Sequence, residues 1–211
     1  MNRADIASPE LGAVEVHGMS RASFILRGAV AAGAVYGAGA VGPYVSSALA
    51  QSGSSDVDIL NFALTLEYLE TAFYQVKGAA VGLGGEARAL AKSFGDEEAE
   101  HVAALTKAVT AAGGKPVAKP KFAFPVSDQS GFLKLAYVLE NTGVGAYNGA
   151  GPSLTNKQYL AAAGSIVQVE ARHAAAIALL VNEPITPNGA FDKPLDKAQV
   201  LAKAGPLIKN G

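Results

Sequence analysis

The sequence predicts an all-α protein, a four-helix bundle in which one long crossover joins the second and third helices. Four segments between Asp56 and Asn182 repeat apolar residues with the 3.6-residue period of an amphipathic helix. No run alternates with the two-residue period of a strand, and the one strand-like stretch, KFAFPV, is bounded by Pro120 and interrupted by Pro125. Between the four segments, two short connections enclose a long one.

Local signals support each helix in turn. The predicted helices cover residues 57–77, 85–112, 128–148 and 156–182. Gly143 and Gly145 weaken the third helix as an isolated element, because glycine has low helix propensity. Thr155 and Gln158 have the spacing of a capping box at the start of the fourth helix, which we expect to stop at Pro184.

The connections predict how the helices are arranged. Residues 78–84 and 149–155 form short links, so each helix pair should be an antiparallel hairpin. Residues 113–127 contain three prolines, and at about 3.3 Å per residue they are long enough to run along helices of ~30 Å. Two hairpins joined by one such crossover make a bundle of the ferritin-like type rather than a simple up-and-down bundle.

Composition limits the possible functions. The chain has 211 residues, 50% of them apolar, and a formal net charge of −1. This is enough for one sizeable core, and it leaves no basic surplus to bind nucleic acid. Cysteine is absent. Disulfides and thiolate ligands are therefore excluded, and any metal must be held by carboxylate and imidazole.

The N-terminal part differs from the rest. Residues 28–55 carry no charge and contain mainly small and apolar side chains. We interpret residues 1–50 as an export signal ending at Ala50, which places the protein in the periplasm or outside the cell with no stable membrane span after processing. The stretch SRASFILRG resembles a twin-arginine signal that has Ala22 in place of the second arginine. An uncleaved anchor and a disordered tail are the alternatives.

Two further regions complete the predicted organisation. Residues 51–182 should form the helical bundle. Residues 183–211 are rich in proline and should wrap along it, with one short helix near residues 196–204.

A repeat relates the two halves of the bundle. The first and third helices each carry a Glu followed seven residues later by a Tyr, and the second and fourth each carry Glu-x-x-His. These residues are Glu67, Tyr74, Glu98, His101, Glu140, Tyr147, Glu170 and His173. The offset between halves is 73 for Glu and Tyr and 72 for Glu-x-x-His, and two of the three histidines belong to this repeat. The chain therefore resembles a duplicated hairpin.

The repeated acids and histidines predict a metal centre. Residues three apart share one face of a helix, and the face of Glu170 and His173 is otherwise apolar. Four buried carboxylates would repel one another, and two divalent cations would neutralise them. Oxygen and nitrogen ligands suit iron or manganese, with zinc also possible. The predicted ligands are Glu67, Glu98, His101, Glu140, Glu170 and His173, with Glu98 and Glu170 nearest the axis between the halves. Without metal, we expect some of these acids to hold protons.

Neighbouring residues offer alternatives. Glu70 lies on the same stripe as Glu67 and is an alternative ligand or a hydrogen-bond partner of one. Tyr74 and Tyr147 are expected to be core residues first and hydrogen-bond partners of the site second. Glu97 also shares a face with His101, but Glu98 fits the repeat, so Glu97 is expected on a solvated acidic turn.

These motifs resemble the ferritin-like superfamily. The stretches NFALTLEYLETAFY, DEEAEHVAAL, LENTGVGAY and VEARHAAAI carry the resemblance over about 130 residues, and they are most similar to an exported bacterial branch related to plant desiccation-associated proteins. The resemblance implies a di-metal, ferroxidase-like oxidoreductase that reacts with oxygen or peroxide. It supports nearly as well a stress-associated metal-binding or structural protein with little turnover. A homodimer or larger homo-oligomer is compatible with either.

We expect the mature protein to begin at or near Gln51, because the uncharged run closes with the small residues Ala48-Leu49-Ala50. Intact-mass measurement of protein recovered from the soluble periplasmic fraction checks this. A full-length mass in that fraction would show that the segment is not cleaved.

Overall fold

The computed structural model describes residues 55–209, and the predicted export signal lies outside them. Five α-helices are described: α1 (Asp56–Ala72), α2 (Gly85–Ala111), α3 (Gln129–Ala150), α4 (Lys157–Val181) and α5 (Lys197–Ala204). A π-helical turn, Phe73–Lys77, and a short helical turn, Gly78–Ala80, continue α1 toward α2. The predicted all-α fold is confirmed.

Side-chain caps set the helix starts. Ser55 and Asp58 form a capping box at α1, and Asp128 accepts from the Gly131 amide at α3. The capping box predicted for Thr155 and Gln158 is wrong, because Asn156 is the N-cap of α4 and accepts from the Gln158 amide.

Thr155 is engaged elsewhere. Its backbone amide and hydroxyl donate to the Asp56 carboxylate at 2.8 and 3.0 Å. This contact ties the connection before α4 to the start of α1, and it leaves the Thr155 hydroxyl unavailable as a cap.

Contacts between helix ends establish the predicted crossover. Helix α1 packs mainly on α2, and α3 packs mainly on α4. The Gly84 amide donates to Gln129 Oε1 at 2.9 Å, so α2 and α3 begin at the same end of the bundle. The Thr155–Asp56 contact lies at the other end, where α1 begins and α3 has finished. The chain must therefore run the length of the bundle between α2 and α3, as predicted.

The crossover is fixed to the helices that it passes. Asn61 of α1 donates from Nδ2 to the Lys115 carbonyl at 3.1 Å and accepts from the Val117 amide at 2.8 Å. Farther along, the Phe124 ring meets Phe73 edge to face, with 5.2 Å between ring centroids. Hydrogen bonds at one point and aromatic packing at another hold this proline-rich segment in place.

A short two-stranded ladder was not expected from the sequence. Strand β1 (Lys121–Phe122) pairs antiparallel with β2 (Ile208–Lys209), and the Ala123 amide donates to the Leu207 carbonyl at 2.9 Å. Proline keeps the crossover extended, and the C-terminal segment passes alongside to satisfy its backbone groups. Each strand has two residues, too few to show an alternating pattern in the sequence.

The core is divided by a polar layer. One apolar cluster contains the aromatic residues Phe73 and Phe132, whose rings stack with centroids 4.3 Å apart. The other cluster is largely aliphatic and includes Leu64 and Val109. The predicted metal ligands fall between these clusters along the helices, so apolar packing surrounds them.

Helix α4 is the one helix among residues 55–209 that is long and apolar enough to cross a membrane. The core helix of a bundle passes the same test. Helix α4 packs along α3 and buries Glu170 and His173, which is the arrangement of a core helix.

Gly145 lets the C-terminal segment cross α3 closely. The Leu195 amide donates to the Gly145 carbonyl at 2.9 Å. A Cβ atom at Gly145 would lie 2.6 Å from Leu195 Cγ and 3.2 Å from the Lys193 carbonyl oxygen. The glycine that weakens α3 as an isolated helix is thus required by a tertiary contact.

Gly145→Ala should lower the free energy of unfolding by about 1–2 kcal/mol, because overpacking outweighs the gain in helix propensity. Gly164→Ala is the matched control, since a Cβ there meets nothing within 4 Å. It should raise stability by about 0.5–1 kcal/mol. Urea unfolding of both variants checks the pair, and a stabilised Gly145→Ala protein would contradict the proposed contact.

Candidate metal centre

The structure brings the six predicted ligands together in the middle of the bundle. Helix α1 supplies Glu67, α2 supplies Glu98 and His101, α3 supplies Glu140, and α4 supplies Glu170 and His173. All four carboxylate residues have 0% of their surface exposed. The side chain of His173 is 2% exposed and that of His101 is 12% exposed.

These residues form two overlapping groups that could each hold an ion. In each group, one nitrogen or oxygen atom from every residue lies within 4.8 Å of the others. The first group is Glu67, Glu98, His101 and Glu170, and the second is Glu98, Glu140, Glu170 and His173. Glu98 and Glu170 belong to both groups, so their two oxygens can serve two neighbouring ions.

Both imidazoles turn Nδ1 toward the carboxylates. His101 Nδ1 lies 2.9 Å from Glu98 Oε2 and 3.2 Å from Glu67 Oε2. His173 Nδ1 lies 3.0 Å from Glu98 Oε1 and 3.4 Å from Glu140 Oε2. The two halves of the repeat therefore present the same nitrogen to the shared carboxylate.

Several buried polar atoms in this layer make no hydrogen bond of normal geometry among the described residues, although His173 Nδ1 lies close to two of the carboxylate oxygens. They are Glu98 Oε1, Glu140 Oε2, both carboxylate oxygens of Glu170, and His173 Nδ1. Buried polar groups are normally paired, because an unpaired one loses its hydration without compensation. All five atoms belong to the second four-residue group, and each offers a lone pair once it is deprotonated, so the donor set fits a cation.

Two tyrosines cross between the halves. The Tyr74 hydroxyl donates to Glu140 Oε1, and the Tyr147 hydroxyl donates to Glu67 Oε1. Each bond fixes one carboxylate oxygen and leaves Oε2 on the side of the imidazole. Burial first, and then the adjacent carboxylate, raises the pKa of both tyrosines well above the usual value, so both remain hydrogen-bond donors.

Glu70 is buried beside the layer but belongs to neither group of four. The offset of 73 makes its counterpart Gly143. A Cβ at Gly143 would lie 2.6 Å from Glu170 Oε2 and 3.5 Å from Glu70 Oε1, so the missing side chain leaves room for both acids. Burial, followed by repulsion from Glu170 and Glu140, raises the pKa of Glu70 well above its usual value.

Glu97 is the functional candidate that sequence reasoning missed. The prediction that Glu97 is purely solvated is wrong, because Glu97 Oε2 lies 2.5 Å from His173 Nε2 although the side chain is 45% exposed. Ser93 Oγ donates to the other carboxylate oxygen at 3.1 Å. The four-residue spacing of Ser93 and Glu97 could predict a hydrogen bond between them within α2. It could not predict the contact with His173, which depends on how α2 packs against α4.

Burial is the main influence on the pKa values of three acids in the layer. Burial, opposed in part by His101, raises the pKa of Glu67 to about 8. Burial also raises the pKa of Glu140, and burial with repulsion from Glu98 raises that of Glu170 well above its usual value. The prediction that some acids hold protons without metal is thus supported for these three.

Glu98 behaves in the opposite way. Burial alone would raise its pKa, but the two nearby imidazoles outweigh burial and lower it to about 2. Burial would lower the pKa of each imidazole, yet the surrounding carboxylates raise that of His101 to about 12 and that of His173 to about 11. Two imidazolium groups can therefore balance part of the negative charge of the layer when no metal is bound, a counter-charge that was not expected from the sequence.

Comparison with known families agrees with this geometry. The family model described as a ferritin-like domain matches residues 55–183, which is more than half of the chain. No curated protein matches the sequence. The matched residues include all four bundle helices and every residue of both four-residue groups.

We expect metal-free protein to lose stability as the pH rises from about 5 to about 8. The pKa of Glu67 rises from 4.5 to about 8 on folding, so the folded state keeps a proton that the unfolded state releases in this interval. Above about pH 6.5 the two histidines of the layer also make stability fall as the pH rises, because their pKa values are higher in the folded state. Within the buried layer, Glu98 alone has the opposite effect on stability, and only below about pH 4.5, because its folded-state pKa is lowered.

Urea unfolding with a chelator present measures this dependence. Glu67→Gln should flatten the decline between about pH 5 and 8, whereas Glu100→Gln, at an exposed position of the same acidic turn as Glu97, should not. Stability that stays constant or increases over this interval would contradict the assignment.

Proposed function

This chain belongs to the ferritin-like domain family, and we propose that its buried layer holds two divalent metal ions. The observation that carries the proposal is the pair of overlapping four-residue groups, in the second of which five buried donor atoms make no hydrogen bond of normal geometry. The ligands in this proposal are Glu67, Glu98, His101, Glu140, Glu170 and His173.

The donor set favours iron, with manganese as the alternative. Carboxylate oxygen and imidazole nitrogen suit these ions, and the sequence offers no cysteine sulfur. In each half, one ion would have a histidine and a carboxylate of its own and would share Glu98 and Glu170 with the other ion. The tyrosine bonds to Glu67 and Glu140 would keep the unshared carboxylates oriented.

We propose oxidation of Fe(II) by oxygen or peroxide as the activity. Two bound ferrous ions would supply two electrons to the oxidant. The protein's part is to hold the pair, to compensate the increase in positive charge with carboxylates, and to keep bulk water out of a layer whose acids have no exposed surface. Before metal binds, the imidazoles and raised-pKa acids must release protons, because a ligand atom binds metal only when deprotonated.

The same burial favours a second candidate function. Among the six ligands, only His101 reaches the surface appreciably, with a side chain 12% exposed. A layer this enclosed also suits stable metal retention without repeated turnover. We therefore retain a non-catalytic, stress- or desiccation-associated metal-binding protein as the alternative.

Export remains part of the proposal. It is supported by the uncharged run of residues 28–55. A homodimer or a larger homo-oligomer is compatible with it. An exported protein would meet metal and oxidant outside the reducing cytoplasm.

Anaerobic titration with Fe(II), followed by repeated additions in the presence of oxygen or peroxide, separates the two functions. Two ions per chain should bind in either case. A catalyst should continue to oxidise Fe(II) at a steady rate for many equivalents, and a binding protein should stop after the first two. Loss of stoichiometric binding altogether would refute the metal centre.

Glu170→Gln and Glu98→Gln form a matched pair, because each should weaken metal binding by more than the roughly 10- to 100-fold typical of an outer-shell loss. Their metal-free stabilities should differ. Glu170→Gln should be as stable as wild type, since its raised pKa makes the native residue neutral without metal. Glu98→Gln should be less stable, since it removes the anion between two imidazolium groups.

Metal titration measures the affinity of the Glu170→Gln and Glu98→Gln variants, and urea unfolding with a chelator present measures their metal-free stability. If Glu98→Gln kept two tightly bound ions, its assignment as a shared ligand would be wrong. Equal metal-free stabilities of the two variants would contradict the charge distribution described for the layer.

A further inference from the structure

We infer that Glu97 is a positioning residue for His173 and that it makes the two halves of the metal centre unequal. This inference rests on the proposed function, because it concerns how one predicted ligand is oriented. It goes beyond that function by adding a residue outside the repeat and by predicting different affinities for the two ions.

The contact between Glu97 and His173 lies on the outer edge of the imidazole. Glu97 Oε2 is 2.5 Å from Nε2, whereas Nδ1 on the opposite edge faces Glu98 and Glu140. A neutral imidazole carries one proton, and the hydrogen bond made by one nitrogen decides which nitrogen is free. Donation from Nε2–H to Glu97 leaves the Nδ1 lone pair directed at the shared carboxylate, where an ion would bind.

The surroundings of Glu97 hold both partners in place. Ser93, one turn earlier in α2, donates to Glu97 Oε1 and so orients its carboxylate. The Phe94 ring stacks on the His173 imidazole with centroids 3.9 Å apart and planes inclined by 23°. The carboxylate fixes the direction of the ring's hydrogen bond, and the phenyl group fixes the ring plane. A partner of this kind also increases the basicity of the ligating nitrogen.

The other half lacks these supports. The offset of 72 relates Glu97 to Val169 and Phe94 to Ile166, so no carboxylate or aromatic ring occupies the equivalent positions beside His101. The His101 side chain is also more exposed than that of His173, at 12% against 2%. The repeat therefore preserves the ligands but not the groups that orient them. The ion bound through Glu140 and His173 should be held more tightly than the ion bound through Glu67 and His101.

Anaerobic calorimetric titration with Mn(II) tests the inference without relying on activity. Wild-type protein should bind two ions in two resolved steps. Glu97→Ala should weaken one step by about 10- to 100-fold and leave the other unchanged. Glu97→Gln should fall between these two proteins, because an amide oxygen can still accept from Nε2–H. Glu100→Ala, an exposed acid on the same turn, is the control and should match wild type.

A double-mutant cycle assigns the weakened step to His173. In a His173→Ala background, Glu97→Ala should cause no further change, because Glu97 acts through the imidazole. With diamagnetic Zn(II) bound, 15N NMR should show a slowly exchanging Nε2–H on His173 in wild type and in Glu100→Ala. In Glu97→Ala this proton should exchange rapidly. A purely structural role for Glu97 would not affect this one imidazole proton selectively.

The outcomes separate the inference from the proposed function. If Glu97→Ala binds both ions as tightly as wild type, or weakens both equally, the inference is wrong and the metal centre stands. If wild type binds no ions, the proposed function fails first. If Glu97→Ala does not fold, the comparison of Glu97→Gln with wild type decides the matter, and identical titrations would overturn the inference.

Discussion

The structure depends on how charge is balanced in one buried layer. Four carboxylates and two imidazoles meet where two apolar clusters adjoin, and no lysine or arginine is among the buried charged residues described. Either protons or cations must therefore neutralise the acids. Without metal, two imidazolium groups and several protonated acids satisfy this requirement. With metal bound, the same atoms would lose those protons and become ligands.

This requirement explains features that otherwise look unfavourable. Gly143 weakens α3 but leaves the space that Glu170 and Glu70 need. Tyr74 and Tyr147 place hydroxyl groups in an apolar core, where each satisfies one oxygen of a buried carboxylate. These residues give up local stability or apolar packing to serve the polar layer.

The sequence was sufficient to predict the parts of the fold that repeat. Helical periodicity, two short links and one long link gave the topology, and matching offsets identified the residues that the structure places in the layer. The features that the sequence did not predict depend on contacts between segments that are distant along the chain. Asn156 rather than Thr155 caps α4 because Asp56 engages Thr155, and β1 exists only because residues 208 and 209 pass beside the crossover. The contact of Glu97 with His173 was not predicted for the same reason, since His173 lies on another helix.

The same layer must stabilise a metal-free protein and still accept metal, and these two demands oppose each other. Every proton that raises metal-free stability has to leave before its atom can bind an ion, so a more stable metal-free state means a lower apparent affinity at a given pH. A fully symmetric layer would impose this competition equally on both ions. Because the layer is not symmetric, protons and metal ions compete differently in its two halves. Glu97 orients His173 in one half, and His101 in the other half has partial access to solvent. One half can thus be organised for retention while the other allows exchange, within a single duplicated framework.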